Sequence, residues 1–189
     1  MTKWYTGVGS RETPQDVLKL MTKVGYTLAK GGFGLRSGGA VGADSAFEEG
    51  WWAHRMTKDI CYTADDYECY VPWWGYEEHE RASHDGKNLN PENWPNYFTA
   101  TVMAAILHPN WDACKQGAKK MHARNCYQIL GQDLATPSKF VVGYAKTDKK
   151  GVPQGGTATA FRLADKAGIK VFNLYIPEHL DRLQNFIGE

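Results

Sequence analysis

Ser37-Gly38-Gly39-Ala40-Val41-Gly42-Ala43-Asp44 is the stretch whose reading decides the fold. It follows a short run, Gly34-Leu35-Arg36, and leads into a helix-like segment from Ser45 to Trp52. A strand, a glycine-rich turn and a helix start in that order create an anion site. Glycines let backbone N–H groups approach a phosphate closely. The helix N-terminus adds unsatisfied donors and a partial positive charge. A tight strand-to-helix turn without a ligand has the same residues, so one such stretch is weak evidence alone. A second glycine turn with a hydroxyl follows much later, at Gln154-Gly155-Gly156-Thr157-Ala158-Thr159.

Outward from this stretch the chain alternates between strand and helix patterns. Trp4 to Val8 reads as a strand that ends in Gly9-Ser10-Arg11. Thr13-Pro14 opens a helix whose Val17, Leu18, Met21, Val24 and Leu28 recur at helical spacing, and Lys30-Gly31-Gly32 ends it. Phe33 to Arg36 is the second strand and 43–55 the second helix. Ile60 to Tyr62 and Glu68 to Pro72 are short strand candidates. Tyr97 to Leu107 reads as an apolar helix and Trp111 to Leu134 as a longer one. Phe140 to Tyr144 is a buried strand. A helix from the second glycine turn to Ala167, a strand from Ile169 to Leu174 and a helix from Ile176 to Phe186 complete the chain. The alternation predicts an α/β fold, a Rossmann-like doubly wound, mostly parallel sheet with helices on both faces. Residues 73–97, rich in Trp, Asn, Pro, His and charge, break the pattern and read as an insertion or a lid.

Composition bounds the function. At 189 residues the chain predicts one domain, 1–189, with a substantial core. The net charge of +1 supplies no bulk pull toward nucleic acid or membrane. Four widely spaced cysteines lack zinc spacing, so neither a metal site nor a cofactor is expected. No signal pattern or long apolar span is visible, and the expected compartment is a reducing cytoplasm.

In a doubly wound sheet, ligands bind beyond the carboxyl ends of the strands. Three glycine-containing loops leave such ends: Gly9-Ser10-Arg11, Ser37 to Asp44, and the loop reaching Gly155-Gly156-Thr157. Together they predict one donor-rich crevice for a phosphorylated ligand. Ser37, Gly38, Gly39, Ala40, Thr157 and Thr159 are candidates to hold phosphate, with Arg11 and Arg124 as clamps. Asp44 and Glu48 are candidates to accept ribose hydroxyls. Asn125 joins Arg124 in the polar segment Met121-His122-Ala123-Arg124-Asn125, and Trp73, Trp74 and Tyr76 are candidates to stack a base. Glu77 to Arg81 reads as a solvated charge run.

These motifs resemble the DprA/Smf and LOG superfamily of Rossmann-like proteins (SLOG), and most of all its small phage-type members similar to DNA recombination-mediator protein A. The resemblance rests on Gly9-Ser10-Arg11, the Ser37 to Asp44 stretch, the His122 to Asn125 segment, the Gly155-Gly156-Thr157 helix start and Val171-Phe172-Asn173-Leu174. LOG-type members cleave base from ribose 5′-monophosphate, with a Met-His-x-Arg-Lys segment and a Pro-Gly-Gly-x-Gly-Thr-x-x-Glu loop. Here Asn125 replaces the Lys, Ala158 replaces a glycine, and Arg162 stands where the catalytic Glu belongs. That departure argues against hydrolysis by the family mechanism, leaves no catalytic residue assigned, and puts a cation at the site. Glu12, Asp44 or Glu48 are carboxylates placed to substitute. The resemblance therefore implies capture of a nucleotide-derived signal, of ADP-ribose or cyclic type, without catalysis, as in phage counter-defence in the host cytoplasm. A phosphoribohydrolase and a single-stranded DNA-binding recombination mediator are the alternatives. The superfamily also implies a homo-oligomer, with the apolar 97–107 helix as a contact.

Overall fold

The computed structural model describes residues 2–57, 65–76 and 88–188. Its strands are β1 (Lys3–Gly9), β2 (Phe33–Ser37), β3 (Tyr67–Tyr70), β4 (Asn88–Leu89), β5 (Phe140–Tyr144) and β6 (Lys170–Asn173). Its helices are α1 (Gln15–Lys30), α2 (Ala43–Met56), α3 (Tyr97–Leu107), α4 (Gln116–Leu130), α5 (Thr157–Lys166) and α6 (Pro177–Ile187). The strands form one sheet in the order β4-β3-β2-β1-β5-β6, and every pairing is parallel. The fold is the Rossmann-like α/β architecture that the alternation predicts.

Neighbouring strand residues feed opposite layers, as the pleat demands. Val142 packs in one core with Tyr5, Leu35 and the apolar faces of α1 and α2. Val141 packs in the other with Val8, Tyr70 and residues of α3, α4 and α5. A sheet covered on both faces needs strands that are apolar on both sides, which is why Phe140-Val141-Val142 is legible as a strand.

Two elements differ from their sequence reading. The long helix over 111–134 is shorter. A turn closed by the Cys114 amide on the Trp111 carbonyl precedes it, and Gly131 caps it at the far end. The 73–97 segment holds more than an insertion: Asn88–Leu89 pairs with Cys69 and Tyr70 as the edge strand β4. Trp94, just beyond, packs against Tyr70 and Tyr127. A two-residue strand is too short to show periodicity in sequence. The strand candidate at Ile60 to Tyr62 and the charge run at Glu77 to Arg81 lie outside the described residues. Among the described residues, no helix is long and apolar enough to cross a membrane.

The contact between α1 and α2 depends on two small residues. A Cβ on Gly25 would lie 2.5 Å from the Phe47 carbonyl oxygen, and one on Gly50 would lie 1.8 Å from the Thr22 carbonyl oxygen. Both obstacles are backbone, so a methyl group is accommodated by moving a helix. Gly50→Ala is expected to lower stability by about 2 kcal/mol or more, the range of an overpacked core, measured by urea unfolding.

Candidate functional site

The sheet order reverses between β1 and β5, and a cavity of about 470 Å³ opens there at the carboxyl ends of the strands. Gly9, Ser10, Arg11 and Glu12 enter it after β1, Ala40 and Asp44 after β2, and Ala145 and Lys146 after β5. Gln154, Gly155, Gly156 and Thr157 bring the N-terminus of α5 to the same space. Met121, Arg124, Asn125 and Gln128 line it from α4 at spacings of three and four residues, which place them on one helical face. Tyr76 lies across another side. Its hydroxyl accepts from Arg11 at 2.9 Å, and the guanidinium carbons of Arg11 and Arg124 both lie 5.9 Å from its ring centroid.

Asp44 ties these pieces together. Its Oδ1 accepts from the Gly9 amide at 3.1 Å, and its Oδ2 accepts from the Ala40 amide at 3.5 Å and from Arg124 Nη1 at 3.4 Å. Burial pushes the Asp44 carboxyl above its ordinary range, while the Arg124 charge and the two amides pull it back. Arg124 also donates to Gln128 Oε1 at 3.1 Å. Two donors remain: Arg124 Nε and Gln128 Nε2 are buried without a hydrogen-bond partner among the described residues. Buried polar groups are rarely left unpaired, and both side chains line the cavity. Asn125 holds the wall opposite by donating from Nδ2 to the Gly156 carbonyl at 3.2 Å.

Of the residues singled out in sequence, Gly9, Ser10, Arg11, Ala40, Asp44, Arg124, Asn125, Gly155, Gly156 and Thr157 line the cavity. Ser37, Gly38, Gly39, Glu48, Thr159, Trp73 and Trp74 do not. Ser37 is fully buried and donates to Glu48 Oε1 at 2.6 Å. Gly38 serves the arginine: a Cβ there would fall 1.2 Å from Arg124 Nη1 and 2.8 Å from Asp44 Oδ2. The glycine that looked like a phosphate contact is the slot for the Arg124 guanidinium. Thr159 is buried with Oγ1 2.9 Å from His122 Nδ1. Trp74 is exposed, and Trp73 packs edge-on to Tyr76 with ring centroids 5.1 Å apart, so Tyr76 is the aromatic face at the cavity. Arg162, expected at the site as a cation, instead approaches the Leu107 and Pro153 carbonyls at 3.4 and 3.5 Å and does not line the cavity. Of the substitute carboxylates, Glu12 and Asp44 reach the cavity and Glu48 does not.

Sequence reasoning missed Gln128, Lys146, Gln154 and Tyr76's partnership with two arginines. A Gln one turn beyond Arg124 on the same helical face was the available signal for Gln128. It also missed a trio. His108, Cys114 and His122 bring one potential ligand atom each within 4.8 Å of one another. Their spacings of six and eight residues match no zinc motif, because a turn folds between them. Burial, then His108, Arg124 and Arg162, push the His122 imidazole down to about 4.

The fold and the cavity define a doubly wound α/β protein with a donor-rich pocket at its topological switch point. No family model matches the chain, and no curated protein matches it. Among solved structures it is similar to DNA processing protein A from Helicobacter pylori, described for its single-stranded DNA binding mode. The two are 15% identical, with 98% of this chain and 79% of the other covered and a TM-score of 0.42. What that protein binds belongs to that protein; the residues of this cavity decide what this chain can hold.

Two consequences follow from the buried charges. Removing Arg124 leaves the Asp44 carboxyl without its ion partner, so Arg124→Ala is expected to lower the stability of the ligand-free protein by about 3–5 kcal/mol in urea unfolding. Burial also pushes the Glu48 carboxyl up from 4.5 to about 7, with the nearby Asp44 adding and the Ser37 hydrogen bond opposing. Between those values the native chain holds a proton that the unfolded chain has lost. Stability on this account falls as pH rises from about 4.5 to about 7 and is level above. Glu48→Gln keeps the Ser37 bond and should flatten that slope in melting temperatures measured across the window.

Proposed function

We propose that the cavity binds a phosphorylated nucleoside or a nucleotide-derived ligand, within a SLOG-type protein. The observation that carries this reading is the pair of buried, unpartnered donors, Arg124 Nε and Gln128 Nε2, in a cavity that also holds the N-terminus of α5. A buried donor without a partner costs about 1–3 kcal/mol, and a ligand oxygen removes that cost. Helix amides at Gly155, Gly156 and Thr157 favour an anion. Arg11, Arg124 and Lys146 outnumber Glu12 and Asp44 in the lining, and Asp44 is already neutralised by Arg124. The cavity's volume suits a ligand of nucleotide size. Tyr76 offers the base a ring beside two guanidinium groups.

Capture without cleavage is the mode these residues favour. Arg162 holds the position of the family's catalytic Glu, and its side chain is spent on two backbone carbonyls outside the cavity. Asp44 accepts from two amides and an arginine, which leaves it poorly placed to act as a base. Sequestration of a signalling nucleotide is the biological use this mode would serve. A single strand of DNA presents the same phosphate chemistry and is the competing ligand, as the solved relative's description suggests. Phe98, Val102 and Ile106 form an exposed apolar stripe along α3 that supports self-association.

Calorimetric titration with a nucleoside 5′-monophosphate, ADP-ribose, the free nucleoside and a single-stranded oligonucleotide tests the reading. The phosphorylated compounds should bind at least about tenfold more tightly than the free nucleoside, a difference of about 1.4 kcal/mol. Lys146 is exposed at the rim, so Lys146→Ala should weaken binding without changing the melting temperature. Equal affinity for nucleoside and nucleotide would overturn phosphate recognition, and tight salt-dependent binding of the oligonucleotide alone would favour the DNA reading. Chromatography of the denatured complex should return the nucleotide intact, and native mass spectrometry of the same sample counts subunits.

A further inference from the structure

Behind the His122 wall of the cavity, three side chains from separate pieces of chain converge. His108 follows the last residue of α3, Cys114 closes the turn that begins at Trp111, and His122 lies in the second turn of α4. One ligand-type atom of each lies within 4.8 Å of the other two. Cys114 Sγ is 3.6 Å from Nδ1 and 3.7 Å from Nε2 of His108, and the two imidazole centroids are 4.5 Å apart. A tetrahedral centre with bonds of about 2.0–2.3 Å sets its ligand atoms about 3.3–3.8 Å apart. The thiol and His108 already have that spacing, and His122 needs to approach by about an ångström.

We propose that His108, Cys114 and His122 form a binding site for a divalent transition-metal ion of the zinc type, with its fourth position on the cavity side.

The donor set selects the ion. Two imidazoles and a thiolate suit zinc and its neighbours, whereas magnesium and calcium take oxygen ligands. The orienting group that metal-bound histidines use is in place. Thr159 Oγ1, almost fully buried, lies 2.9 Å from His122 Nδ1. An Nδ1–H donated to that hydroxyl leaves Nε2 as the ligand atom. Thr159, a phosphate candidate by sequence, becomes a positioning residue for the metal. On His108, Nδ1 accepts from the Asn110 amide at 3.2 Å, and coordination through Nδ1 exchanges that contact for the ion. Binding is a substitution without electron transfer. The ion sheds water, the Cys114 thiol gives its proton to solvent, and the thiolate takes the vacated position. His122 also lines the cavity, so three protein ligands leave the remaining position for water or an oxygen of a cavity ligand.

The test uses the full chain, stripped with a chelator and titrated with Zn²⁺ against a competing indicator, with Co²⁺ as a spectroscopic probe. One ion per chain is expected, with tetrahedral Co²⁺ bands in the visible and a thiolate-to-metal transition in the near ultraviolet. Cys114→Ser should abolish the thiolate transition, and both it and His108→Ala should weaken binding by about a hundredfold or more, since each removes a direct ligand. Thr159→Val should weaken it by about tenfold while the thiolate transition persists, as expected for an outer partner. Each variant is checked for folding by circular dichroism without metal, and the two ligand variants lie on different elements, so a folding failure in one leaves the other to decide. Failure of the wild type to take up one ion would overturn the proposal. So would unchanged affinity and an unchanged thiolate transition in Cys114→Ser, which would place the ion on another cysteine, or unchanged affinity in His108→Ala, which would remove His108 from the site.

Discussion

The buried contact between Asp44 and Arg124 is the interaction on which the site depends. It joins four pieces of chain that are far apart in sequence: the end of β1 through the Gly9 amide, the glycine loop through Ala40, the start of α2 through Asp44 itself, and α4 through Arg124. A buried ion pair is weak evidence of net stability, because removing two charges from water is expensive. Its effect here is on register. The carboxylate has one set of amides to meet, so the loop after β2 and the helix α4 can close on β1 in one way. Gly38 is the steric condition for that closure, since any side chain at this position would occupy the space of the Arg124 guanidinium.

This arrangement changes the meaning of the glycine loop. A loop of this composition between strand and helix suggests backbone amides turned toward a phosphate. Here most of the loop is turned inward. Ser37 meets Glu48, Gly38 meets Arg124, and Ala40 is the member that reaches the cavity. The helix start that lines the cavity is instead that of α5, held against α4 by Asn125. The loop seats the arginine in the cavity wall, and the second glycine turn brings the start of α5 to the same space.

One wall, two chemistries, is the consequence of packing α4 between α3 and α5. Its residues 121, 124, 125 and 128 face the cavity, and His122, which also lines it, meets His108 and Cys114. The hydrogen bond between Thr159 and His122 joins α5 to the same histidine. The donor-rich pocket and the soft-ligand trio therefore share one rigid helix, and a displacement of α4 would alter both.

Strand and helix alternation determined the fold class from sequence alone, because a parallel sheet buried on both faces requires apolar runs such as Phe140-Val141-Val142, and its helices require one apolar stripe each. The three loops at the strand ends were legible for the same reason: glycine and helix-start chemistry is local. The edge strand Asn88–Leu89 was not, since two residues carry no period. Nor was the division of labour within the loops. Whether Ser37 meets a ligand or Glu48, whether Arg162 faces the cavity or two carbonyls, and whether His108 and Cys114 meet His122 are questions of contact between distant residues. Sequence determined which residues could do chemistry at the carboxyl edge of the sheet. Tertiary structure decided which of them point there, because side-chain partners are set by how helices pack across the chain and not by neighbours along it.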